Sequence, residues 1–159
     1  MSSARRVLEA TLGGGLTAGI LDAILAVVLY RATPVAICHS IASGLLGRGA
    51  YEGGIATAVL GAALHFVIAF GAAATYATAS VALPVLVRRA VPCGLAFGVG
   101  VYFFMNYVVL PLSAVSFARP FHMALLTNGT WLGGLIGHMF LIGLPIALWT
   151  RRVASGPPA

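Results

Sequence analysis

Residues 12–30 read LGGGLTAGILDAILAVVLY, a run from Leu12 to Tyr30 with one charged residue, Asp22. A helix needs about 20 mainly apolar residues to cross a hydrocarbon core about 30 Å thick, and this run has that length. Working outward, three more runs qualify: Ile55 to about Leu83, Cys93 to Leu110, and Trp131 to Trp149. Strands of a membrane barrel would alternate apolar and polar residues over about 10 positions, and these runs are continuous. Composition agrees: 60% of the 159 residues are hydrophobic and 8% are charged, with a mean hydropathy of +1.03. Soluble domains average about 45–50% apolar and about 25% charged residues, and disorder requires low hydrophobicity. Both classes are excluded. The expected fold is an all-α polytopic membrane protein, a four-transmembrane-helix bundle. One domain covers residues 1–150, with spans at about 12–30, 55–83, 93–110 and 131–149, and a short tail covers 151–159.

Charge sets the expected orientation. All nine basic residues are arginine, against Glu9, Asp22 and Glu52, for a net charge of +6. Arg5, Arg6, Arg88, Arg89, Arg151 and Arg152 fall at the N-terminus, the 84–92 loop and the C-terminus; Arg31, Arg48 and Arg119 fall in the other two connections. Arginine accumulates on the cytoplasmic side, so both termini are expected there, in a bacterial inner membrane. A nucleic-acid surface gathers its basic residues on one face of a soluble domain; here they cap apolar runs, so the expected partner is the lipid bilayer and not nucleic acid. Asp22 interrupts the first run, which is longer than a signal-peptide core, so it reads as an uncleaved span. Pro84 and Pro92 bracket the cytoplasmic turn.

The two outer connections are unusually apolar. Residues 34–54 contain ICHSIASGLLG, and residues 112–130 contain FARPFHMALLTNG. Each is too short to span and reads as an interfacial or re-entrant segment. Cys38 and Cys93 fall at opposite ends of this topology. A disulfide needs Cα atoms within about 7 Å, so the two cannot pair within one chain.

The halves of the chain echo each other. GLTAG (15–19) opens the first span and GLAFG (94–98) the third; Gly61-x-x-x-His65 lies in the second and Gly134-x-x-x-His138 in the fourth. Two parallel hairpins related by an axis along the membrane normal would carry a site at their interface. The paired glycines are explained by packing, since small residues four apart let membrane helices approach closely.

Ionisable and amide groups inside a span are costly and need a reason. Asp22, His65, Asn106 and His138 qualify, and His39 and His122 lie in the outer connections. All four histidines therefore fall in the outer half. At about 1.5 Å rise per residue, His65 and His138 differ in depth by about 4–5 Å. In one reading, Asp22, His65, Asn106 and His138 hydrogen-bond to each other and fix helix register. In a second, they line a pocket with His39 and His122 at its mouth, and His65 and His138 ligate a transition metal or a b-type haem. No CxxCH is present for covalent haem. In a third, Asp22 and the histidines carry protons for a small-solute transporter acting as a dimer. Ser40, Ser43, Ser113 and Ser116 share the outer side with the histidines, but no nucleophile motif surrounds them, and no enzyme is expected.

Five segments carry a resemblance: GGGLTAGILDAILA (13–26), SIASGLLGRGAYEGGIATAVLG (40–61), LHFVIA (64–69), VYFFMNYVVLPLSA (101–114) and HMFLIGLPIAL (138–148). Together they resemble uncharacterised bacterial four-span inner-membrane proteins, a group similar to the YagU-like proteins. The resemblance covers about Gly13 to Leu148. It implies the four-span topology and carries no catalytic role.

Overall fold

The computed structural model describes residues 2–115 and 129–156. In chain order its helices are α1 (Ser3–Tyr30), α2 (Pro34–Leu46), α3 (Gly54–Ala82), α4 (Val85–Arg88), α5 (Ala90–Leu112) and α6 (Thr130–Ala154). No strand occurs among the described residues. Four of these helices, α1, α3, α5 and α6, are long and apolar enough to cross a membrane. The chain is an all-α, multi-pass membrane protein built as a four-helix bundle.

The helices overrun the expected spans because a helix does not stop where the hydrocarbon does. With 28 residues at about 1.5 Å each, α1 is about 42 Å long, against a core of about 30 Å. The excess is at its start, where Ser2 caps the helix by accepting from the Arg5 N–H. Arg5 there pairs with Glu9 at 2.9 Å, four residues on. Likewise α6 continues through Arg151 and Arg152 to Ala154, so the first residues of the expected tail are helical. Pro92 sits in the first turn of α5, where the backbone N–H groups have no helical acceptor in any case.

In the bundle, α1 packs against α3 on one side and α6 on the other, and α5 packs on α6. Neighbours run antiparallel: Gly15 and Gly19 of α1 meet Phe70 and Phe66 of α3, while Gly13 meets Trp149 and Leu25 meets Gly137 of α6. Both chain ends therefore lie at one end of the bundle, here the termini end. The far end carries α2. The echo between halves has a counterpart in packing. Gly15 and Gly19 admit the second span against the first, and Gly94 and Gly98 admit α6 against α5. A Cβ on Gly98 would come within 2.6 Å of the Met139 Cα, so only glycine permits that crossing.

The closest-packed region lies toward the termini end, where Ala18, Ala73, Tyr76, Ala90, Ile142, Ile146 and Ala147 form one cluster. Tyr76 fixes it to the turn by donating to the Leu86 carbonyl at 3.0 Å, and its ring meets Phe97 edge-on at 5.1 Å. Small residues dominate because lipid offers apolar side chains no reason to leave it, so close backbone approach supplies the attraction. The opposite surface is apolar: Leu8, Leu12, Leu16, Ile20, Ile24 and Val28 recur every fourth residue along α1 and are 45% to 69% exposed.

The first apolar connection forms α2, capped by Thr33 and begun by Pro34. A 3₁₀ turn, Gly47–Tyr51, leads into α3, and α2 packs along that helix. The Cys38 carbonyl rests on Gly61, where any Cβ would collide with it. Gly61 lies seven residues into α3, about 10 Å along it, so α2 forms a helical hairpin with α3. The second apolar connection, with Arg119 and His122, lies almost wholly outside the described residues.

Both α5 and α6 contain a π turn, at Met105–Val109 and His138–Gly143. In each, a leucine N–H reaches five residues back, Leu110 to Met105 and Leu144 to Met139. A proline follows each leucine, Pro111 and Pro145. Proline has no N–H and crowds the carbonyl four residues earlier; a widened turn relieves that crowding.

Candidate functional site

Asp22 belongs to the stripe of α1 that contains the buried Gly15, Ala18 and Gly19, spaced so that one helix face carries them all. That stripe faces the bundle. The carboxylate has no hydrogen bond or ion pair among the described residues; the ion pair found there is Arg5–Glu9, at the helix start.

One turn nearer the helix start, His65 of α3 meets α1. Its Nε2 lies 2.8 Å from the Gly19 carbonyl oxygen. A carbonyl can only accept, so Nε2 carries the proton and Nδ1 keeps its lone pair in the neutral ring. Phe66 packs edge-on against this imidazole at 5.4 Å. The bond ties two spans at a point where Gly19 lets them close.

Asn106 and His138 share a different role. Asn106 Nδ2 donates to the Tyr102 carbonyl at 2.8 Å, and His138 Nδ1 donates to the Gly134 carbonyl at 2.9 Å. Each acceptor is four residues back in the same helix, and each donor stands at or beside the first residue of a π turn. A π turn shifts the backbone pairing by one residue, and the side chain supplies a donor to the carbonyl at that point. His138 keeps its Nε2 lone pair by the same argument as His65.

Tyr102 is 7% exposed; its ring meets His138 at 5.2 Å and Trp131 at 6.3 Å, both edge-on. Tyr102, His138, Trp131 and Asn106 thus form one local group on α5 and α6. The sequence reading missed Tyr102. The available signal was the spacing of Tyr102 and Asn106, four apart on one helix face.

The expected direct contacts differ from those found. Asp22, His65, Asn106 and His138 make no hydrogen bonds to one another: three of them bond to backbone carbonyls, and Asp22 has no hydrogen bond among the described residues. His65 and His138 share neither a hydrogen bond nor a ring contact, and α1 packs against both of their helices. Among the described residues no three of His, Cys, Asp and Glu gather as a metal-binding group. His39 holds the α2–α3 hairpin, donating through Nε2 to the Gly54 carbonyl at 2.8 Å and meeting Tyr51 edge-on at 6.4 Å. His122, proposed beside it at the mouth, lies outside the described residues. The serine hydroxyls are engaged locally, Ser43 to the Ser40 carbonyl at 2.6 Å and Ser113 to the Leu110 carbonyl at 2.7 Å; Ser116 lies outside the described residues. Cys38 and Cys93 are both free thiols, one beside α3 and one near Val85 of the termini-end turn.

No family model, no curated protein and no solved structure matches the chain.

Proposed function

We propose that this membrane protein binds a small cationic solute at Asp22, in exchange for a proton, on the bundle-facing side of α1. The observation that carries the reading is the Asp22 carboxylate. It stands on the bundle-facing stripe of a span without a basic partner among the described residues. An intramembrane carboxylate in that position holds either a proton or a cation. The expected location is the bacterial inner membrane with both termini cytoplasmic, from the arginine distribution, and a dimer would give four short spans room for a pathway.

Isothermal titration of the purified protein with sodium, potassium and tetramethylammonium tests this, run in two buffers of different ionisation enthalpy. Binding with release of about one proton, lost in Asp22→Asn, is expected. No binding by any of the three, or binding unchanged in Asp22→Asn, overturns it.

One observation favours a second reading. His65 Nδ1 and His138 Nε2 both keep free lone pairs while the opposite nitrogen donates to a carbonyl, the arrangement that orients metal-ligating imidazoles. A transition metal or b-type haem would use those atoms. Elemental analysis of wild type beside His65→Ala and His138→Ala decides: stoichiometric metal lost in both variants supports this reading, and metal-free wild-type protein removes it.

A further inference from the structure

At the termini end, α4 packs on α6. This one-turn helix is held in place: the Leu86 carbonyl accepts from Tyr76, and the Val85 carbonyl lies 3.8 Å from the Cys93 Sγ. Arg88 and Arg89, at the end of α4, therefore lie at the same end of the bundle as Arg151 and Arg152 in the last turn of α6. All four are exposed. None is in an ion pair among the described residues: Glu9 is committed to Arg5 at 2.9 Å, and Asp22 and Glu52 belong to the middle and the far end of the bundle.

Helix C-termini favour nearby cations, which accounts in part for each arginine but leaves the guanidinium donors unused. Arg152 is already oriented. Its guanidinium carbon lies 5.4 Å from the centroid of the Trp149 ring, and the Trp149 indole is anchored by donating to Thr17 Oγ1 at 2.9 Å. A guanidinium stacked on a ring keeps its N–H edge free, and that edge matches phosphate oxygens in pairs. Trp149 also marks the depth at which an amphipathic ring sits among lipid headgroups.

We propose that Arg88, Arg89, Arg151 and Arg152 form a binding site for the headgroup of an anionic phospholipid, on the turn face of α4 and α6. Charge complementarity selects the occupant: of the phosphate-bearing lipids at that depth, those with net negative charge best match four guanidiniums that have no ion pair among the described residues. The site does not depend on Asp22 or on which side of the membrane this end faces.

The test uses the whole protein in phosphatidylcholine nanodiscs, with Trp131→Phe leaving Trp149 as the remaining tryptophan. Brominated phosphatidylglycerol or brominated phosphatidylcholine is titrated in and Trp149 quenching is followed. A preference for the anionic lipid of about tenfold or more is expected. An arginine near an anionic surface contributes about fivefold in affinity, so Arg88→Gln with Arg89→Gln lowers the preference severalfold. Arg151→Gln alone gives a smaller drop in the same direction, should the double variant fail to fold. Arg31→Gln with Arg48→Gln at the far end leaves the preference unchanged. Equal quenching by the two lipids overturns the proposal, as does an equal loss from the far-end pair.

Discussion

Replacing Gly98 by alanine tests the close crossing of α5 on α6. The added Cβ would meet the His138 carbonyl and come within 2.6 Å of the Met139 Cα, and both are backbone atoms that no side-chain rotation can move. The helices must separate by roughly 1 Å to reach ordinary contact. Overpacking of this kind costs about 1–3 kcal/mol, and a backbone wall places it at the upper end, about 3 kcal/mol. Alanine also gains about 1 kcal/mol of helix propensity over glycine, which offsets part of the loss. Gly100→Ala, two residues on, removes that complication. Its Cβ meets nothing within 4 Å, so it should gain the propensity and nothing else. The difference between the variants is then the overpacking alone, about 3 kcal/mol. Reversible unfolding in mixed micelles measures it. Equal shifts for Gly98→Ala and Gly100→Ala would refute the packing argument.

Trp149 and Thr17 join α6 to α1 by a 2.9 Å hydrogen bond; a double-mutant cycle with Trp149→Phe and Thr17→Val should give a coupling of about 0.6–1.7 kcal/mol, and zero coupling would show the bond contributes nothing. His65→Phe should destabilise by about 1 kcal/mol through loss of the bond to Gly19, with no compensation from Phe66; unchanged unfolding would contradict that tie. A reporter active only outside the cytoplasm, fused after Ala159, should stay dark, and a bright fusion would reverse the orientation.

Much of the architecture was readable in the residues because lipid imposes simple rules. Four runs long enough to cross a membrane, prolines at the termini-end turn and glycines four apart led to the bundle and to its close contacts. Asp22 was legible because a lone carboxylate in an apolar run has no ordinary structural reason to be there. The detailed roles of Asn106 and His138 were not. Each bonds within its own helix at a π turn, and Pro111 or Pro145 indicates a disturbed helix without saying whether it kinks or widens. The hairpin of α2 on α3 was also hidden. An apolar segment of that length can lie flat or turn inward, and the contact of the Cys38 carbonyl with Gly61 decides between them. The seating of Tyr102 against His138 and Trp131 depends on helix rotation, which no single run reveals.

The most direct test of the Asp22 assignment is carboxyl labelling in the membrane. A hydrophobic carbodiimide partitions into lipid and reaches carboxyls that face apolar surroundings, whereas a water-soluble one reaches those at the surface. Peptide mass mapping should find the hydrophobic reagent on Asp22 and the soluble reagent on Glu9 and Glu52, with Asp22 labelling reduced by a bound cation. Hydrophobic labelling confined to Glu9 and Glu52, with Asp22 unmodified in the folded protein, would contradict the account.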